Sequence, residues 1–237
     1  AGIGFYIALC ELAHLFYRPD QRGDLILIGL VLLGLVMFGA YRMPYDPFTG
    51  WLFTLYLIRL ARGDDLAMLV VFALACLNRE TAILLVPVAG AVILLRKDYK
   101  AAAWTVLQQV LIFGVIQGGL HYIFRENAGS VAWIEPMQNI RRFIESPWRT
   151  MSHLAVTGVM LLIAFQGWQR KPAFFKLVFI AMAPPLVLFY FILGQSFEVR
   201  VFWEVWPALA LLMLPTLHGY RLYTLRFSNW IKKGLRA

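Results

Sequence analysis

Charge is what this sequence has least of. Only 15% of its 237 residues are Asp, Glu, Lys or Arg, against roughly a quarter in a soluble domain. Hydrophobic residues make up 61%, and the mean hydropathy is +0.69. One water-facing domain cannot hide that apolar surplus, so the composition points to a bilayer as the solvent. Cysteine is almost missing. Cys10 and Cys76 stand apart inside apolar runs, which excludes a disulfide framework or a cysteine-based zinc site and leaves two small buried thiols. Histidine is sparse as well. Glu11-Leu12-Ala13-His14 puts a carboxylate and an imidazole on one helical face, as in di-iron bundles, but the second copy and two further carboxylates are missing. His121, His153 and His218 stand singly, and neither His-Glu-x-x-His nor Gly-x-Ser-x-Gly occurs. No metal, no cofactor and no intramembrane protease is therefore expected. Internal repeats and low-complexity segments are also absent.

What the chain does have is apolar runs. They cover Ala1 to Tyr17, Leu25 to Tyr41, Phe48 to Leu60, Leu66 to Leu77, Ala82 to Leu95, Ala102 to Phe124, His153 to Trp168, Ala173 to Leu193 and Trp203 to His218. The expected fold is all-α, a polytopic transmembrane helical bundle of about nine segments. Residues 1–218 form its single domain, and residues 219–237 a basic amphipathic tail. Three runs, from Phe48 to Leu95, are short for a span, which places their connections at headgroup depth or against a water-filled cavity. Pro184-Pro185 lies mid-run and is expected to kink or break its helix.

Charge sorts with strict alternation. If Arg18 to Asp24 is cytoplasmic, all six lysines (Lys97, Lys100, Lys171, Lys176, Lys232 and Lys233) fall on that side. The outer side receives arginine only. This is the positive-inside pattern, and it predicts a multi-pass inner (plasma) membrane protein with a cytoplasmic C-terminus. The net charge of +9 then reflects topology rather than nucleic-acid binding. The tail mixes Arg221, Arg226, Lys232, Lys233 and Arg236 with Leu222, Phe227 and Trp230, a composition that lies on anionic lipid. The outer loop 125–150 carries a helix start at Glu135-Pro136, followed by Met137, Ile140 and Ile144 at helical spacing. A short amphipathic helix on the outer surface is expected there.

The polar knot Asn78-Arg79-Glu80-Thr81 sits between two almost wholly apolar runs. Ionisable groups at that depth are functional candidates by default. Others on the same side are Asp46 in a Pro-bounded loop, Arg141 and Arg142 on the surface helix, and Glu198 with Arg200, one turn before Glu204. Each has a structural reading beside the functional one. Asn78 and Thr81 could cap the two helices of a hairpin in which Arg79 and Glu80 merely face water. Asp46 reads equally as an Asp-Pro turn. Glu198, Arg200 and Glu204 read as a salt-bridged helix start in an aromatic belt, and Arg141 and Arg142 as headgroup anchors.

The run from Pro44 to Lys97 resembles GT-C-type polytopic membrane glycosyltransferases. The corresponding parts are an Asp-bearing outer loop (Asp46), a short span, a basic cytoplasmic turn at 59–62, and two short helices joined by a hairpin carrying Arg79. Glu198-x-Arg200, followed by aromatics and Pro207, resembles a closing motif of the same proteins. The resemblance implies transfer of a sugar from a polyprenyl-phosphate donor at the outer face, in the cell envelope. It assigns Arg79 and Arg200 to the phosphate, with Arg141 and Arg142 as auxiliaries. Glu80 and Glu198 would orient them or touch the sugar, and Asp46 would be a candidate base. Guanidinium forks suit phosphate better than ammonium, which fits an outer face without lysine. The family's acidic base lies in the first outer loop, upstream of the apolar run at Ala1, so an N-terminally incomplete chain is expected. Membrane lipids and the lipid-linked donor are the implied partners. Two other classes stand beside this one: an accessory subunit of a larger membrane complex, with the charges as interhelical locks, and a transporter, for which Pro184-Pro185 is the cue.

Overall fold

The structure, a computed structural model, describes residues 2–17, 21–37, 46–127, 141, 144–145, 147–193 and 202–219. Among these there is no strand. Among the described residues, the helices that follow the apolar runs are α1 (Gly2–Phe16), α2 (Gln21–Met37), α3 (Asp46–Arg62), α4 (Asp65–Asn78), α5 (Leu85–Leu94), α6 (Tyr99–Ile123), α7 (Pro147–Phe165), α8 (Ala173–Leu193) and α9 (Trp206–His218). Two 3-10 turns, Glu80–Leu84 and Trp168–Arg170, precede α5 and α8. The all-helical class is as expected. Only α6, among the described residues, is long and apolar enough to cross a membrane by length and composition. At 14 residues α4 rises roughly 21 Å, against about 30 Å of hydrocarbon. Of the segment in which a surface helix is expected, Arg141, Ile144 and Glu145 are described and helical. Its start at Glu135-Pro136, and the tail beyond Gly219, lie outside the described residues.

Helix ends follow local rules. Asp64 caps α4 by accepting from the Ala67 N–H at 3.3 Å, and Asp98 caps α6 by accepting from Ala101 at 2.9 Å. Gly219, at φ 86°, closes α9 in the left-handed conformation that glycine adopts without strain. Pro184-Pro185 does not break α8, which runs unbroken with both prolines inside it. Two missing N–H donors cost that helix two of its many backbone bonds, too few to end it.

α5 is the centre. Leu85, Val86, Val88, Ala89, Gly90, Val92 and Ile93 are all buried, enclosed by α6, α8 and α3. Around it, polar side chains complete backbone bonds that the sequence leaves open. Pro215 has no N–H for the Leu211 carbonyl, and the Tyr17 hydroxyl donates to that carbonyl at 2.8 Å instead. Gln117 donates to the Cys76 carbonyl in the last turn of α4 at 2.6 Å. Gln109 donates to the Tyr56 hydroxyl at 2.7 Å, and Tyr56 donates to the Leu85 carbonyl at 3.2 Å, linking α6, α3 and α5. The tightest approach at a described glycine is at Gly34. A Cβ on Gly34 would lie 2.5 Å from Nε1 of the buried Trp206 indole, so α2 meets α9 only because residue 34 has no side chain.

The charged groups gather at two ends. One end holds Glu11 with Arg62 at 2.6 Å, Arg59 with Asp64 at 3.4 Å, and His14 Nε2 3.5 Å from Asp24. Arg96 reaches from the α5–α6 connection to the Leu60 carbonyl at 3.2 Å, which brings Lys97 and Lys100 to the same end. Lys171 and Lys176 are there too, because Phe16 at the end of α1 packs on Phe174 and Phe175 at the start of α8. All four described lysines therefore share one end. Glu11 and His14, candidates for one metal by spacing, turn to partners on different helices. Between the ends exposed apolar side chains stand on the described helices: Val115 is 74% exposed, Leu111 59% and Val70 54%.

Candidate functional site

The polar knot lies at the end of the bundle away from the lysines. α4 stops at Asn78 because Arg79 takes an extended backbone, φ −156° and ψ 143°, while its N–H still bonds to Ala75 O. A 3-10 turn begins at once with Glu80, so the chain makes a sharp corner at Arg79. Three hydrogen bonds to two partner residues pin the corner. The Asn78 amide donates to Thr49 Oγ1 on α3 at 2.8 Å. The Arg79 guanidinium donates through Nη1 to Glu204 Oε1 at 3.0 Å, and the Thr81 hydroxyl donates to that same oxygen at 2.6 Å.

Glu204 comes 125 residues after Arg79 in sequence and two before the first residue of α9. The helix N-terminus behind it favours a carboxylate. Its side chain is wholly buried, whereas that of Arg79 keeps 17% of its surface exposed. The pair thus shows its cation at the surface and keeps its anion inside. Trp203, beside Glu204, is fully buried and packs edge-on against Phe5 at 5.5 Å, with Gly50 of α3 against its ring. Aromatic packing holds the stretch that carries the carboxylate.

The expected site residues divide as follows. Arg79 meets the closing stretch, through Glu204. Glu80 opens the 3-10 turn, exposed and without an ion pair among the described residues. Asp46 opens α3, three residues before Thr49. Arg141 is exposed and pairs with Glu145 at 2.7 Å on its own helical turn, the contact of a surface segment rather than of the knot. Arg142, Glu198 and Arg200 lie outside the described residues. The capping roles read for Asn78 and Thr81 are corrected: Asn78 bonds across to α3 and Thr81 to the stretch before α9, and the 3-10 turn has no side-chain cap. Thr49 and Glu204 complete the cluster. Glu204's signal was its place one turn after Arg200, and Thr49 gave none.

A second cluster, at the lysine end, was not foreseen. Lys171 is only 3% exposed. Its ammonium donates to the Ile163 and Ala164 carbonyls in the last turn of α7 at 3.0 and 2.5 Å, and to Thr216 Oγ1 on α9 at 3.0 Å. Thr216 in turn donates to Ile163 O at 2.9 Å. The negative end of α7 suits a cation, yet burial pushes the Lys171 amine down to about 8. Burial also lowers Arg96 from its usual range, opposed by the nearby Asp65 carboxylate. This cluster ties α7 to α9 and holds no nucleophile–base pair. No protein family, curated protein or solved structure matches this chain.

Proposed function

We propose that this chain is a multi-pass membrane protein of GT-C-like organisation that transfers a sugar from a polyprenyl-phosphate donor at the end carrying Arg79. One observation carries the reading: the Arg79–Glu204 pair joins the hairpin and the closing stretch, the two segments in which the resemblance places the phosphate-binding arginines. The partly exposed member of that pair is the guanidinium, the group suited to a departing phosphate. Membrane placement draws support from the apolar flanks between the two charged ends and from the gathering of lysines at one of them. In this reading the lysine end and the C-terminus face the cytoplasm of an inner-membrane protein. Asp46, Glu80 and Glu198 remain the candidate acids, and Arg200, Arg141 and Arg142 the further phosphate ligands.

The test is transfer by the purified chain in vesicles, offered polyprenyl-phosphate-linked ¹⁴C-hexoses and pentoses with envelope glycolipids as acceptors. Arg79-dependent release of polyprenyl phosphate supports the reading; the same release from Arg79→Ala contradicts it. A second reading, an accessory subunit in which the pair is an interhelical lock, is favoured by the complete burial of Glu204 and its second bond from Thr81. It predicts no donor consumption at all.

A further inference from the structure

Resting on that reading, we infer that Glu204 and Thr81 are positioning residues that aim the Arg79 guanidinium at the phosphate. An arginine side chain has several rotatable bonds, and its fork discriminates only when it is held. Here a buried oxygen takes part in the holding. Glu204 Oε1 accepts from Arg79 at 3.0 Å and from Thr81 at 2.6 Å, so the carboxylate bridges both sides of the corner. Behind it stand the packed Trp203 ring and the first turn of α9, so the anion cannot follow the guanidinium outward. On the other side Asn78 fixes the corner to Thr49 of α3. The corner is thereby tied to α3 and to the stretch leading into α9 at once, and the arginine held there stays partly exposed. Because the pair is close to neutral overall, selectivity for phosphate over a neutral headgroup rests on directed N–H groups rather than on net charge.

That logic separates two substitutions. Glu204→Gln keeps an oxygen acceptor for Arg79 and Thr81, whereas Glu204→Leu removes it. The full chain in nanodiscs is titrated with undecaprenyl phosphate and, separately, with undecaprenol. The wild type is expected to prefer the phosphate by about tenfold or more, the scale of a hydrogen bond to a charged group. Glu204→Leu is expected to lose most of that preference while binding the alcohol as before, and Glu204→Gln to stay within about threefold of wild type. Thr81→Val, which leaves the charge pair in place, is expected to lie between them and covers the case in which Glu204→Leu does not fold. Unchanged preference in Glu204→Leu, or in Thr81→Val where Glu204→Leu does not fold, overturns the inference. So does tighter phosphate binding by Glu204→Gln, since the carboxylate would then be a competitor. No preference in the wild type removes the underlying phosphate reading instead.

Discussion

The Tyr17 hydroxyl supplies the hydrogen bond that Pro215 denies to the Leu211 carbonyl, at 2.8 Å and in a buried setting. A residue just past α1 thereby repairs the last turns of α9. Tyr17→Phe should cost about 1–3 kcal/mol, the penalty of a buried acceptor left without a donor. Replacing Pro215 by Ala restores the helical N–H, so Tyr17→Phe should then cost much less. Thermal unfolding of the two single variants and the double variant measures the coupling. Equal costs in both backgrounds would show that the hydroxyl does not compensate for the proline.

Gly34 against Trp206 gives a second stability prediction. Gly34→Ala forces the buried indole or the α2 backbone to move and should destabilise by about 1–3 kcal/mol. Gly29→Ala on the same helix meets nothing within 4 Å and should be neutral or slightly stabilising. Tryptophan fluorescence during thermal unfolding reports both.

Lys171 predicts a pH dependence. Its amine titrates at about 8 in the fold, against its usual 10.5. Between those values the unfolded chain binds more protons, so this residue makes stability rise with pH and lowers it again as pH falls toward 8. Below about 8 its contribution is flat. The melting-temperature difference between wild type and Lys171→Met should therefore grow in favour of wild type from pH 8 to pH 9.5. A constant difference across that range contradicts the burial of a titrating amine.

The two ends also make a topological prediction. In a background without Cys10 and Cys76, a cysteine at exposed Glu80 should react with a membrane-impermeant maleimide from outside intact cells. One at exposed Lys97 should react only after permeabilisation. Labelling of both from the same side would contradict the multi-pass reading.

The helices were legible because nothing but a helix fits long apolar runs bounded by charged turns, and the sorting of Lys97, Lys100, Lys171 and Lys176 to one end followed from alternation alone. The polar knot was legible as an oddity. Its partner was not, because Glu198, Arg200 and Glu204 are equally plausible from spacing, and burial of Glu204 behind Arg79 depends on packing across 125 residues. Asn78 and Thr81 misled for a related reason. Both are good caps by local preference, and tertiary partners on α3 and just before α9 outbid the local ones. Lys171 reads as an ordinary loop cation until the end of α7 closes over it. Tyr17 and Pro215 lie at opposite ends of the sequence, and only the fold brings them together.

A phosphate-bearing lipid is expected to sit at the Arg79 end. A diazirine placed beside the phosphate of undecaprenyl phosphate, photolysed with the protein in nanodiscs, should label the peptides around Asn78 to Leu84 and Phe202 to Trp206. Labelling confined to the lysine end, around Lys97 or Lys171, would contradict the assignment of Arg79 to the phosphate.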